Sequence, residues 1–484
     1  MECEGQLLIG EQWQEAASGA RFDVLDPASE AIVGSVPDGA ECDVQAAIGA
    51  ATAALADWRA TTAIERGRLL RRAADLVRER SSSIAAIMTA EQGKPLAEAA
   101  GEVEYAAGFL EWFAGEAERV YGQVVPAARP GKRILVFRQP VGVAAAITPW
   151  NFPAAMLTRK LGPAIAAGCT SVVKPASATP LTAVEICRAI VDAGAPRGLV
   201  NLITSRRSSM VADVLLGDTR VRKLSFTGST EVGKSLIRRS ADTVKRLSLE
   251  LGGHAPFIVF DDAGFSRAVE ELVASKFRNA GQTCVCANRV YVQRGIYGPF
   301  RDALAARIGA LAVGPGTDEG VQIGPLIDEP AVAKVEAHVT DAISRGARLI
   351  VGGKRLLDDT HAKGHFYAPT LLDGIDSDML ISRFETFGPA VGLTAFDSEE
   401  EAVRLANDTR YGLAAYVATS DYARLLRVVE ALDFGVIGAN DGAPSTPGAP
   451  FGGMKESGFG REGGAFGIDE YLDVKYVSIG HVVE

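Results

Sequence analysis

From residue 141 onward, short apolar runs alternate with segments of helical length. Residues 141–147, 170–173, 199–203, 221–226 and 246–249 read as strands, and residues 154–166, 181–193, 208–216 and 231–240 as helices. Strands alternating with helices make βαβ units and a largely parallel sheet, which excludes all-helical and all-strand folds. A second alternation follows Gly252, with strands expected at 257–260, 290–293, 349–351, 393–396 and 414–418. Two α/β units also suit the length, because 484 residues exceed what one hydrophobic core serves. Ahead of this pattern, residues 44–79 and 82–118 carry Ala, Leu and Arg at helical spacing and read as two long helices. Residues 123–139 read as a hairpin around Pro130 and Gly131, and residues 471–479 as a late strand.

Ligands of an open parallel sheet bind beyond the carboxyl ends of its strands. That rule puts Lys174, residues 205–207 and residues 227–229 along one edge. Gly228 lets backbone approach a phosphate there, and Ser229 or Thr230 caps a helix whose free N–H groups attract anions. The net charge of −10 provides no basic footprint for nucleic acid, and an acidic substrate must be met by local arginines. No apolar run approaches the roughly 20 residues of a membrane span. The start of the chain, M-E-C-E-G-Q-L-L-I-G, lacks a basic and apolar leader, and six scattered cysteines suit a reducing compartment. A cytoplasmic protein is expected. No metal site is expected either, since one C-x-C and five dispersed histidines lack zinc spacing; His361 and His365 read as surface residues.

Chemistry concentrates between Glu250, in L-E-L-G-G-H-A-P, and Cys284, in G-Q-T-C-V-C-A-N-R. A thiol that accepts an acyl group and a carboxylate that activates water together make a covalent catalyst whose intermediate can be hydrolysed. Cys3, Cys42, Cys169 and Cys187 read as inert, buried thiols. Asn151 precedes a helix and is either a cap or a side-chain donor to an oxyanion. Asn151, Ala155 and Arg159 step by four along that helix, and Arg278 stands six residues before Cys284. Two guanidinium groups over a thiol suit a distal carboxylate on the substrate, or else they are ordinary helix charges.

With T-P-W-N-F-P at 148–153, V-V-K-P-A-S at 172–177, F-T-G-S-T-E-V-G at 226–233 and E-T-F-G-P at 385–389, these segments resemble the aldehyde dehydrogenase superfamily from about Leu7 to Tyr476. The resemblance implies an α/β fold of two α/β domains, a variant Rossmann cofactor domain (1–121 and 142–251) and a catalytic domain (252–452). It adds a β oligomerisation arm and strand (122–141 and 467–484) that pair across subunits of a homo-oligomer. It implies Cys284 as nucleophile, Glu250 as base and Asn151 as oxyanion donor. Trp150, Lys174, Ser177, Gly228, Ser229, Glu385 and Phe387 would hold the nucleotide. Relatives preferring NAD carry a glutamate where Ser177 stands; a hydroxyl beside Lys174 accepts a 2′-phosphate, so NADP is favoured over NAD. Arg206 and Arg207 either add to that phosphate site or are solvated turn charges.

T-R-K at 158–160, F-R-N-A-G-Q-T-C-V-C-A-N-R at 277–289 and P-F-G-G-M-K-E-S-G-F-G-R-E-G at 450–463 look like succinate-semialdehyde dehydrogenases. There Arg159, Arg278 and Ser445 would bind the aldehyde's distal carboxylate, with Thr446 an alternative to Ser445. Glutarate semialdehyde competes as substrate, a thiol esterase is the reading of another class, and a non-catalytic protein on this scaffold is a third. Cys286, two residues from the nucleophile, is either a spectator or the partner of Cys284 in a strained, reducible disulfide.

Overall fold

The computed structural model describes residues 3–358 and 360–480; His481 and the end of the 467–484 arm range lie outside the described residues. An eight-stranded sheet forms the first unit. Its centre is five parallel strands in the spatial order Arg246–Glu250, Val221–Thr227, Val143–Ile147, Thr170–Lys174, Val200–Leu202. The antiparallel strands Leu7–Ile9 and Gln12–Gln14 extend one edge. Gly458–Phe459 closes the other, so the chain returns to this sheet after building the second one. Central strands such as Thr170–Lys174 are buried throughout, as helices on both faces require.

The second sheet has seven strands ordered Arg348–Val351, Thr370–Asp373, Ala390–Phe396, Ala287–Gln293, Ala255–Val259, Ala414–Ala418, Val436–Ala439. All neighbours are parallel except the first pair. Every strand expected from the alternation is present within a few residues. Thr370–Asp373 and Val436–Ala439, together with the five short strands before residue 38, were not foreseen.

Each expected long helix is two. Glu41–Ala60 ends at Thr61, and Thr62 opens Ala63–Glu79 by accepting from the Glu65 N–H while the Glu65 carboxylate takes the Thr62 N–H. Ser81–Gln92 ends at Gly93, whose φ of 89° is left-handed, and Pro95 precedes Leu96–Ala117. The hairpin is Gln123–Val125 with Arg133–Pro140. Leu472–Ile479 pairs antiparallel with Arg133–Pro140 along eight residues inside one chain. Among the described residues no helix is long and apolar enough to cross a membrane.

Candidate active site

Two cavities meet at the carboxyl edge of the first sheet. One, of about 240 Å³, is walled by Trp150, Asn151, Phe152, Met156, Cys284, Lys334, Glu385 and Phe387. The other, of about 560 Å³, runs past Lys174, Ser177, Ser208, Ser209 and Arg239. Pro149, Trp150, Thr227, Gly228 and Ser229 line both, so the two form one continuous cleft.

The sulfur end is fixed by unusual backbone. After the helix Phe265–Phe277, Asn279, Ala280 and Gly281 are successively left-handed, with φ of 52°, 55° and 74°. Conformations this costly persist only where surroundings hold them. Glu98 accepts the Asn279 N–H at 2.8 Å, and the Asn279 side chain donates to the Asn151 carbonyl at 3.0 Å. Gly253 lies under the same loop; a Cβ there would stand 2.1 Å from the Cys284 carbonyl oxygen. Burial pushes the half-buried Cys284 thiol up to about 12, with Glu385 and Glu250 adding to the effect and Arg159 opposing it.

Asn151 stands in a turn before the helix Ala155–Ala167, not on it, so the expected four-residue stepping through Ala155 to Arg159 begins only at Ala155. Nor does Asn151 cap that helix: Glu102 accepts from the N–H groups of Ala154 and Ala155 at 2.9 and 3.2 Å. The Asn151 amide donates instead to the Gln282 carbonyl at 2.9 Å, leaving its second N–H beside the cavity that Cys284 lines.

Glu250 ends the strand Arg246–Glu250 outside the cavity wall. Both carboxylate oxygens are buried without hydrogen-bond partners, and burial, reinforced by Glu462, raises its pKa well above the usual carboxylate range. Glu462 was missed by sequence reasoning although it lies in R-E-G of a quoted motif. It accepts from Lys160 Nζ, which also donates to Thr227 at 2.7 Å.

All seven residues expected to hold the nucleotide line the two cavities. Ser229 accepts from the Val232 N–H at the start of Thr230–Ser240. A Cβ on Gly228 would sit 2.4 Å from the Phe226 ring. Lys174 donates to Ser208 at 2.6 Å, and desolvation lowers its pKa to about 8. Glu385 accepts from the Gly253 N–H at 3.0 Å, and Phe387, at φ 56°, meets Trp150 edge-on at 5.6 Å. Arg206 and Arg207 do not line the cleft: Arg206 lies 5.2 Å over Phe22, and Arg207 donates to the Gly39 carbonyl. Arg239 lines it in their place, a residue that sequence spacing gave no reason to choose.

Both substrate arginines stand one side chain behind the small cavity. Arg278 lies 5.2 Å over Phe152. Arg159 is fully buried rather than a surface helix charge; it is 4.1 Å over Phe451, donates to Tyr105 at 2.8 Å and lies 3.7 Å from Met156 sulfur. Ser445 is half-buried in a loop away from the cavity wall, and Thr446 beside it is exposed. Cys286 is buried, donating to the Gly281 carbonyl at 3.2 Å near Lys276. Two further expectations are corrected. Cys42 is exposed, and His361 and His365 are buried, His361 against Phe366 and His365 3.8 Å from Glu30 and Glu329.

A thiol, an amide donor and a buried carboxylate at the mouth of a nucleotide-sized cleft define a class of oxidoreductase, and residues 13–477 match the Aldehyde dehydrogenase family. The chain belongs to that family. It is 52% identical over 476 residues to the NADP+-dependent succinate-semialdehyde dehydrogenase of Escherichia coli, covering 98% of both chains. It is 50% identical to the glutarate-semialdehyde dehydrogenase of Pseudomonas putida, covering 98% of this chain and 97% of that one. The crystal structure of succinate-semialdehyde dehydrogenase from Burkholderia pseudomallei superimposes with a TM-score of 0.96 at 52% identity, covering 98% of both chains.

Proposed function

We propose that the protein oxidises succinate semialdehyde to succinate with NADP as electron acceptor. The observation that carries this reading is the single cleft in which Cys284, Asn151 and Glu385 stand at one end and Lys174 and Ser177 at the other. The Cys284 thiolate adds to the aldehyde carbon, and the new oxyanion takes hydrogen bonds from the free Asn151 N–H and from the Cys284 backbone N–H. The bound nucleotide supplies a two-electron acceptor through its nicotinamide ring. Loss of the carbon–hydrogen bonding pair leaves a thioester on Cys284. Glu250, its pKa raised by burial, takes a proton from water as that water attacks the thioester, and the acid leaves as the thiolate is restored.

Trp150 and Phe387 would wall the nicotinamide and Glu385 its ribose. Ser229 and the first N–H groups of Thr230–Ser240 suit the pyrophosphate, with Gly228 allowing close approach. Lys174 and Ser177 suit a 2′-phosphate. Arg159 and Arg278 supply positive charge for a distal carboxylate. Ser445 joins them through the loop that follows Val436–Ala439. Glutarate semialdehyde is the second reading, favoured by the equal likeness to its dehydrogenase; one methylene changes selectivity by only about 1–3 kcal/mol. Cys286 beside the nucleophile is the residue for oxidative disulfide formation with Cys284, the domains follow the boundaries expected above, and six free cysteines support a cytoplasmic location. Exposed Val124, Val474 and Tyr476 on the three-stranded sheet support a homo-oligomer built there.

The test is kinetic. Succinate, glutarate and uncharged aldehydes are assayed with NADP and with NAD, for the parent protein and for Arg159→Ala and Arg278→Ala. Each substitution is expected to lower kcat/KM for succinate semialdehyde about tenfold to a hundredfold, the worth of one charge-assisted hydrogen bond, while sparing uncharged aldehydes. Undiminished kcat/KM in both variants refutes carboxylate recognition.

A further inference from the structure

The buried ion pair of Lys94 and Glu102 takes no part in the reaction scheme. Lys94 and Glu102 are 1% and 2% exposed and bonded to each other. Lys94 Nζ also donates to the Asn151 backbone carbonyl at 2.8 Å and lies 4.1 Å over the Phe152 ring. The second oxygen of Glu102 accepts from the Ala154 and Ala155 N–H groups. The cation therefore grips the near end of a four-residue turn, and the anion grips its far end. That turn lies between the strand Val143–Ile147 and the helix Ala155–Ala167, in neither of them, and it carries Asn151.

Two ions buried together pay a desolvation cost that apolar side chains of equal volume avoid, so stability alone is a poor reason for the pair. Placement is a better one. An oxyanion donor works within a few tenths of an ångström of its proper distance, and the turn has no regular backbone ladder to hold it there. We propose that Lys94 and Glu102 are positioning residues that set the Asn151 amide against the oxygen developing beside Cys284. The proposal rests on Asn151 acting as oxyanion donor. It deepens that reading by assigning the donor's placement to Lys94, in the segment that joins the helices Ser81–Gln92 and Leu96–Ala117, and to Glu102, on the second of these helices.

The decisive variant is Lys94→Met/Glu102→Gln in the full chain, which removes both charges together and retains an acceptor for the Ala154 and Ala155 N–H groups. The expected result is a kcat lowered about tenfold to a hundredfold, with the melting midpoint, aldehyde KM and fluorescence-titrated NADP Kd little changed. In an Asn151→Ala background the same pair of substitutions is expected to lower kcat no further. Unchanged kcat in a folded double variant, or an equal loss in both backgrounds, overturns the proposal while the reaction scheme survives. Undiminished kcat in Asn151→Ala alone removes the oxyanion reading and the proposal with it. Should the double variant fail to fold, Glu102→Gln alone carries the same comparison across the two backgrounds.

Discussion

Burial sets the chemistry at the scale of single residues. Burial pushes the pKa of the Cys284 thiol up to about 12, with Glu385 and Glu250 adding to the shift. A raised thiol pKa means that thiolate accumulates only at high pH. Alkylation by iodoacetamide in the absence of nucleotide is therefore expected to keep accelerating from pH 7 to pH 10, without the plateau of an ordinary thiol above about 9. A plateau near neutrality in the measured rates contradicts this. Lys174 has the opposite shift, to about 8, because burial disfavours its ammonium. Ser177→Glu places a carboxylate on the same wall, and it should raise the KM for NADP at least about tenfold while sparing NAD, since a buried like charge costs more than 1.4 kcal/mol. An unchanged nucleotide ratio contradicts the assignment of Ser177.

Among the elements, the helix Leu96–Ala117 has the largest unforeseen part in the site. Glu98, Glu102, Tyr105 and Phe109, spaced four, three and four, face the left-handed loop, the Asn151 turn and Arg159 in turn. Sequence reading made this helix part of one longer helix, because helical periodicity reports an apolar face and is silent about buried carboxylates on it. Close approach of the catalytic loop to Gly253 gives a further prediction at this scale. Gly253→Ala should cost about 1–3 kcal/mol of stability and most of kcat, because the added Cβ meets backbone rather than a movable side chain. The melting midpoint and kcat measured on the variant check both, and NADP binding is expected to persist.

Among the described residues the molecule has two large sheets joined twice, a third, three-stranded sheet of Gln123–Val125, Arg133–Pro140 and Leu472–Ile479, and a fourth of Cys3–Glu4, Ile32–Pro37 and Arg21–Leu25. Residues 458–459 return to the first sheet, and Glu462 on that return reaches Lys160, so the last part of the chain completes the site begun by the first. On the third sheet, Leu472–Ile479 covers one edge of Arg133–Pro140 and leaves Val474 68% and Tyr476 62% exposed. A homo-oligomer assembled through this sheet would cover these side chains. Val474→Lys/Tyr476→Lys is expected to shift sedimentation toward the monomer. A species of unchanged mass in both proteins counts against assembly through this sheet.

The amino-acid order alone determined the two α/β units and the family, and it singled out the candidate nucleophile and nucleotide-binding residues, because these rest on local periodicity and on short motifs whose residues stay together in space. It left open what Asn151 does with its amide, which arginine lines the cleft and how Arg159 is held. Those outcomes depend on groups brought together from distant segments: Glu102 takes the cap from Asn151, Arg239 displaces Arg206 and Arg207, and Glu462 meets Lys160 across 302 positions. Burial shifts the pKa of Cys284 and Glu250 upward and that of Lys174 downward, and burial is a property of the folded volume, absent from any window of sequence.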